Sequence, residues 1–114
     1  VALLSVRAQT KYEIVSTGED NRGKINELSV YVHAISDVKK INPILWAKYK
    51  NTGIETFQIF YYDNRKIAQT YSKMLFNNKI SDAKMDEISK HIIGKFEYLQ
   101  GKENLYVGED ALLN

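Results

Sequence analysis

A chain of 114 residues has the size of one domain and can bury roughly two thirds of the surface its unfolded form exposes, so a core that needs no staples is feasible. Apolar residues make up 44% and charged residues 26%, which excludes a disordered chain, and a formal charge of +2 spread along the sequence gives no argument for nucleic acid or an anionic membrane as partner. Cysteine is absent, which removes disulfides, thiolate nucleophiles and cysteine-held metals.

Residues 1–10 stand apart from the rest of the chain. Val1-Ala2-Leu3-Leu4-Ser5-Val6, then Arg7-Ala8-Gln9, reads either as the remnant of an apolar targeting segment or as a short arm packed on the domain. No run in the chain approaches the ~18 apolar residues of a transmembrane span. The domain itself is expected over 11–108, with 109–114 as a frayed tail.

Lys11 to Thr17 alternates as a strand does, and the polar stretch from Gly18 to Gly23 ends it. From Leu28 to Ala34 the apolar residues Leu28, Val30, Val32 and Ala34 alternate with Ser29, Tyr31 and His33, the period of a sheet with one buried face. The two runs predict a hairpin. In Ser36 to Gly53, residues Val38, Ile41, Leu45 and Tyr49 fall at helical spacing, but Pro43 lacks an amide hydrogen and disfavours helix at Asn42. The expectation is therefore a helix with Asn42 as N-cap and Pro43 in its first turn, running to Asn51, with a separate turn of helix over Asp37 to Ile41.

Thr56 to Tyr62, Thr-Phe-Gln-Ile-Phe-Tyr-Tyr, is rich in strand-favouring residues and carries no charge, so it predicts the covered central strand of the sheet. Residues 65–77 fit both periods. Helix is favoured, because Asp63 or Asn64 supplies a cap, Asn77-Asn78 a stop, and Ala68, Gln69, Lys73, Met74 and Leu75 have good helix propensity. Ser81 caps a further helix over Asp82 to Ile93, ended by Gly94. Lys95 to Leu99 and Asn104 to Val107 flank Gln100-Gly101-Lys102-Glu103 as a terminal hairpin. The order β-β-α-β-α-α-β-β predicts an α+β domain: a mainly antiparallel sheet with helices packed on one face.

No constellation of nucleophile, base, metal ligand or phosphate loop emerges, so no enzyme activity and no cofactor is expected. His33 and His91 are the only histidines; Asp86 and Glu87 lie near His91 without forming a recognisable metal motif. His33 reads as an outward strand residue beside Tyr31, and His91 as part of the last turn of a helix. Asp82, Asp86 and Glu87, interleaved with Lys84 and Lys90, read as a solvated helix face. The compositional excess is aromatic: eight tyrosines and Trp46. Tyr31, Tyr62, Tyr98 and Tyr106 are the candidate partner-binding residues, on the supposition that they share the less buried face of the sheet. Arg65, Lys66 and Lys73 beside these aromatics resemble the ingredients of single-strand recognition, but no RNA-binding strand signature accompanies them.

Phe60-Tyr61-Tyr62-Asp63, then Ala68, Tyr71, Leu75-Phe76, and His91 to Gly94 ahead of an aromatic strand, resemble small uncharacterised exported or lipid-anchored bacterial proteins over residues 55–108. The resemblance implies an exported, periplasmic or cell-surface location, with the cytoplasm as the alternative, and carries no catalytic residue across. The function expected is a small non-enzymatic module that binds a protein partner, or another copy of itself, through a sheet face or edge. The alternative is small-molecule or nucleic-acid binding through an aromatic and basic sheet face.

Overall fold

The computed structural model describes residues 11–50, 53–76 and 80–112. A single sheet of five strands runs in chain order, β1 (Tyr12–Glu19), β2 (Ile25–Val32), β3 (Thr56–Tyr62), β4 (Ile92–Leu99) and β5 (Lys102–Val107). Helix α1 (Ile35–Tyr49) links β2 to β3, while α2 (Arg65–Phe76) and α3 (Asp82–Ser89) link β3 to β4. The domain is α+β with the predicted element order. All strand pairs are antiparallel except β2 with β3, which the α1 crossover makes parallel.

The charge-free run Thr56–Tyr62 lies at the middle of the sheet and explains one departure from expectation. Its apolar residues occupy both parities, with Phe57, Ile59 and Tyr61 on one face and Phe60 and Tyr62 on the other, so both faces demand cover. Helix α1 covers the first with Val38, Ile41, Leu45 and Trp46. The second receives Ala68 of α2, Ile88 of α3 and Ala111. Helices therefore flank the sheet on both sides instead of one.

Helix α1 also runs through Pro43 without a break. Two observations account for this. Pro43 and Lys39, whose carbonyl loses its partner, lie on the exposed side of the helix, where water can take the carbonyl. Asn42 is buried instead of capping, and its Oδ1 accepts a 2.6 Å hydrogen bond from the Tyr61 hydroxyl. The helix begins earlier, at Ile35, where the Asp37 carboxylate accepts from the Ala34 amide at 3.2 Å. It ends at Tyr49; Asn51 lies outside the described residues. The helix seats closely on β4, where a Cβ at Gly94 would lie 2.8 Å from Val38 Cγ1.

The caps of α2 and α3 are as the sequence predicts: Asn64 Oδ1 accepts from the Ile67 amide at 2.9 Å and Ser81 Oγ from the Lys84 amide at 3.3 Å. The expected stop at Asn77-Asn78 lies outside the described residues. Helix α3 ends at Ser89, not Ile93, because Ile92 and Ile93 are claimed by β4, whose pairing with Tyr62 starts at Ile92 across a bulge. The β1–β2 turn is drawn tight by Asp20, whose Oδ1 accepts from the Arg22 and Lys24 amides at 2.8 and 3.0 Å, so both strands reach further into the loop than expected. The Lys24 and Arg22 amides thereby hold the Asp20 carboxyl below its ordinary range, against a smaller opposing effect of desolvation. Strand β1 carries register irregularities between Ile14 and Ser16 and between Gly18 and Glu19. The β4–β5 hairpin closes through Gln100 (φ 50) and Gly101 (φ 83), both left-handed, as a two-residue turn matching strand twist requires. Beyond β5 the chain does not fray at once: Gly108–Leu112 form a 3₁₀ turn whose Ala111 is buried against the second face. Residues 1–10, expected as an arm or targeting remnant, lie outside the described residues.

Candidate binding surface

Register assigns each tyrosine to a face. Tyr31 pairs with Tyr62 across β2 and β3, and Tyr106 pairs with Lys95, which pairs with Phe60; all three tyrosines therefore belong to the second face. Tyr98 pairs with Phe57 and belongs to the first. The four do not share a face. Tyr62 is also not a surface residue: it is 0% exposed, because α2 and α3 close over it. Burial pushes its phenol pKa up, and the neighbouring Ser29 hydroxyl opposes that only weakly; neither buried hydroxyl finds a well-formed hydrogen bond. Tyr31 is half-buried with His33 at 5.2 Å between ring centroids, and Tyr98 packs on Trp46 at 4.9 Å.

The remaining candidates are mostly engaged locally. Arg65, one of the supposed single-strand contacts, is held by Glu13, with its guanidinium 2.8 Å from the carboxylate. That hydrogen-bonded pairing holds Glu13 below and Arg65 above their ordinary ranges. His91 lies beyond the end of α3, with Nδ1 2.9 Å from Asp63 Oδ1 and its carbonyl accepting from the Asp63 amide at 2.9 Å; it ties β3 to β4. His33 follows β2 and is exposed. Lys84 pairs with Glu87 at 3.1 Å on the solvated side of α3. Among the described residues no group of three His, Cys, Asp or Glu side chains is placed to hold a metal ion.

One region was missed by the aromatic reading. Along the second face, Ser29, Phe60, Lys95 and Tyr106 form one lateral row, and the next row toward the β1–β2 turn is Glu27, Gln58, Glu97 and Asn104. Beyond it come Thr56, Leu99 and Lys102. The apolar cluster under α2 and α3 takes in Phe60, Tyr62 and Ile92 and stops there. The two outer rows thus form an open half-face.

A depression of about 260 Å³ opens at the end of the sheet beside these rows, lined by Glu27, Thr56, Gln58, Glu97 and Leu99 of the second face and by their strand neighbours Asn26 and Tyr98 of the first. A second of about 480 Å³ adjoins it, walled by Ile54, Glu55, Thr56, Tyr98, Leu99 and Gln100. Leu99 is 51% exposed between them. Glu27 lies over Gly18, where a Cβ would come within 2.7 Å of its Oε2, and partial burial raises its carboxyl pKa above the ordinary value. Glu97 is reached by Lys95 at 3.6 Å. The sequence signal was available: Glu27, Gln58 and Glu97 are polar residues inside three strands, at positions that a correct register would have aligned. Without strand order, that alignment could not be read.

Comparison with protein-family models, with curated proteins and with solved structures finds no match for this chain.

Proposed function

We propose that this domain is a small non-enzymatic binding module whose working surface is the open half of the second sheet face. The observation that carries this reading is the position of Leu99. A large apolar side chain stands half exposed between two depressions, with Thr56 and Lys102 on the neighbouring strands and Gln58 and Glu97 in the next row, on a part of the sheet that none of the described helices covers. Apolar centre and polar rim are the composition of a protein-binding patch. The tyrosine expectation narrows accordingly: of the four candidates, Tyr98 alone lines these depressions, at their first-face rim. Nucleic acid is a poorer fit to the same surface, because Glu27, Glu55 and Glu97 would face its phosphates and Arg65 is already paired.

The test is a hydrogen-exchange footprint of a bound partner. Peptides selected from a random displayed library against the whole chain should slow exchange around residues 27, 56–58 and 97–99, and Leu99→Ala should weaken them at least threefold. A footprint on α1 or β1 with Leu99→Ala silent would overturn the assignment of this surface.

A further inference from the structure

We infer that the occupant of the open half-face is a basic segment of a partner protein, with a Lys or Arg side chain seated between Glu27 and Glu97 above Gln58 and an aliphatic neighbour against Leu99. This rests on the proposed docking surface and gives it a chemistry. Glu27, Gln58 and Glu97 lie in register on three adjacent strands, β2, β3 and β4. Neighbouring strands are ~4.8 Å apart, so the two glutamates are set roughly 10 Å from each other across the row, with an amide between them. A guanidinium or ammonium group fills such a gap with one carboxylate at either side and the Gln58 carbonyl oxygen below, and all three accept hydrogen bonds from it.

Charge points the same way around the rim. The side chains lining the two adjoining depressions include Glu27, Glu55 and Glu97, and no Lys or Arg is among these described lining residues. Glu97 shares Lys95, while Glu27 has no ion pair among the described residues. Glu27 is also the carboxylate that burial has stripped of part of its water, so an arriving cation recovers interaction that solvent no longer supplies. Leu99, at the next position of the same face along β4, offers the apolar contact that distinguishes a peptide from a bare cation. An acidic or phosphorylated partner would meet Glu27 and Glu97 at the middle of the surface, with Lys95 already shared with Glu97 and Lys102 at the margin beside Leu99, and fits it less well.

The experiment uses the random displayed peptide library on the whole chain, followed by titration of the selected peptides made synthetically. The selected sequences should be enriched in Lys or Arg next to Leu, Ile or Val. Glu27→Gln with Glu97→Gln should weaken them at least tenfold and flatten their salt dependence, while circular dichroism and melting show that the double variant is folded. Selected peptides that are neutral or acidic, or basic peptides bound equally by the double variant, would overturn the basic occupant yet leave a docking surface whenever the footprint still falls on residues 27, 56–58 and 97–99. Absence of any selected peptide on that footprint removes both. Self-association that is abolished by Glu27→Gln with Glu97→Gln would identify the occupant as a second copy and overturn the partner segment.

Discussion

The two faces of the sheet are made from alternate residues of the same strands, yet they are finished differently. On the first face α1 lies along an aromatic cluster in which the Trp46 ring is 5.2 Å from both Phe57 and Phe96 and 4.9 Å from Tyr98. On this face the Tyr61 hydroxyl donates to Asn42, while the Trp46 indole N–H is buried without a hydrogen-bond partner among the described residues. On the second face the helices are shorter, cover only part of the strands, and leave the Ser29 and Tyr62 hydroxyls without well-formed hydrogen bonds. The contrast is one of cover: the first face is closed along its length by α1 and is expected to contribute most to the stability of the sheet, while half of the second stays open and polar.

The largest effect that tests this contrast is at the centre of the first face. Phe57→Ala removes a ring that is 0% exposed and in contact with Trp46, Tyr49 and Phe96, and should cost about 3–5 kcal/mol in a denaturant titration. A loss under ~1 kcal/mol would mean that the first face does not dominate stability. A sharper comparison uses two adjacent tyrosines. Tyr61→Phe leaves the buried Asn42 oxygen without its donor and should cost about 1–3 kcal/mol, whereas Tyr62→Phe deletes a hydroxyl with no well-formed bond and should be close to neutral. Equal losses in the two variants would dissolve the distinction drawn between the two hydroxyls.

The smallest effect is electrostatic and belongs to the open half. Burial raises the folded-state pKa of Glu27 above its unfolded value, so the protonated carboxyl is the form the fold favours. Its favourable contribution is fully present below the unfolded pKa and is lost as pH rises through the folded one. Glu27→Gln should therefore be more stabilising, relative to the unsubstituted chain, at neutral pH than at acidic pH. Melting curves in which the difference between the two proteins does not change with pH would show that Glu27 is solvated as an ordinary surface glutamate.

Much of the fold was legible because it is encoded locally. Alternation over residues 28–32 of the predicted 28–34, the caps at Asn64 and Ser81, the terminal hairpin, whose turn takes only Gln100-Gly101 of the expected Gln100 to Glu103, and the charge-free run Thr56–Tyr62 each act within a few residues, and each reappears in the structure. What failed was decided by distant partners. Helix α1 continues through Pro43 because Asn42 meets Tyr61, 19 positions along the chain, and α3 stops early because Ile92 meets Tyr62. The supposition that the four tyrosines share one open face failed in the same way: tyrosines are visible as a composition, but a row of Glu27, Gln58 and Glu97 exists only once three strands are placed side by side.

The sheet has two edges, and each is unsuited to growth. Along β1 the register slips twice, between Ile14 and Ser16 and between Gly18 and Glu19, so its outer row of amides is not the regular template another strand would need. Strand β5 opens with Lys102 and Glu103, both exposed, so a copy added edge to edge would have to bring charged side chains into a growing ribbon. These irregularities and charges work against edge-to-edge aggregation of a tyrosine-rich, strand-rich chain.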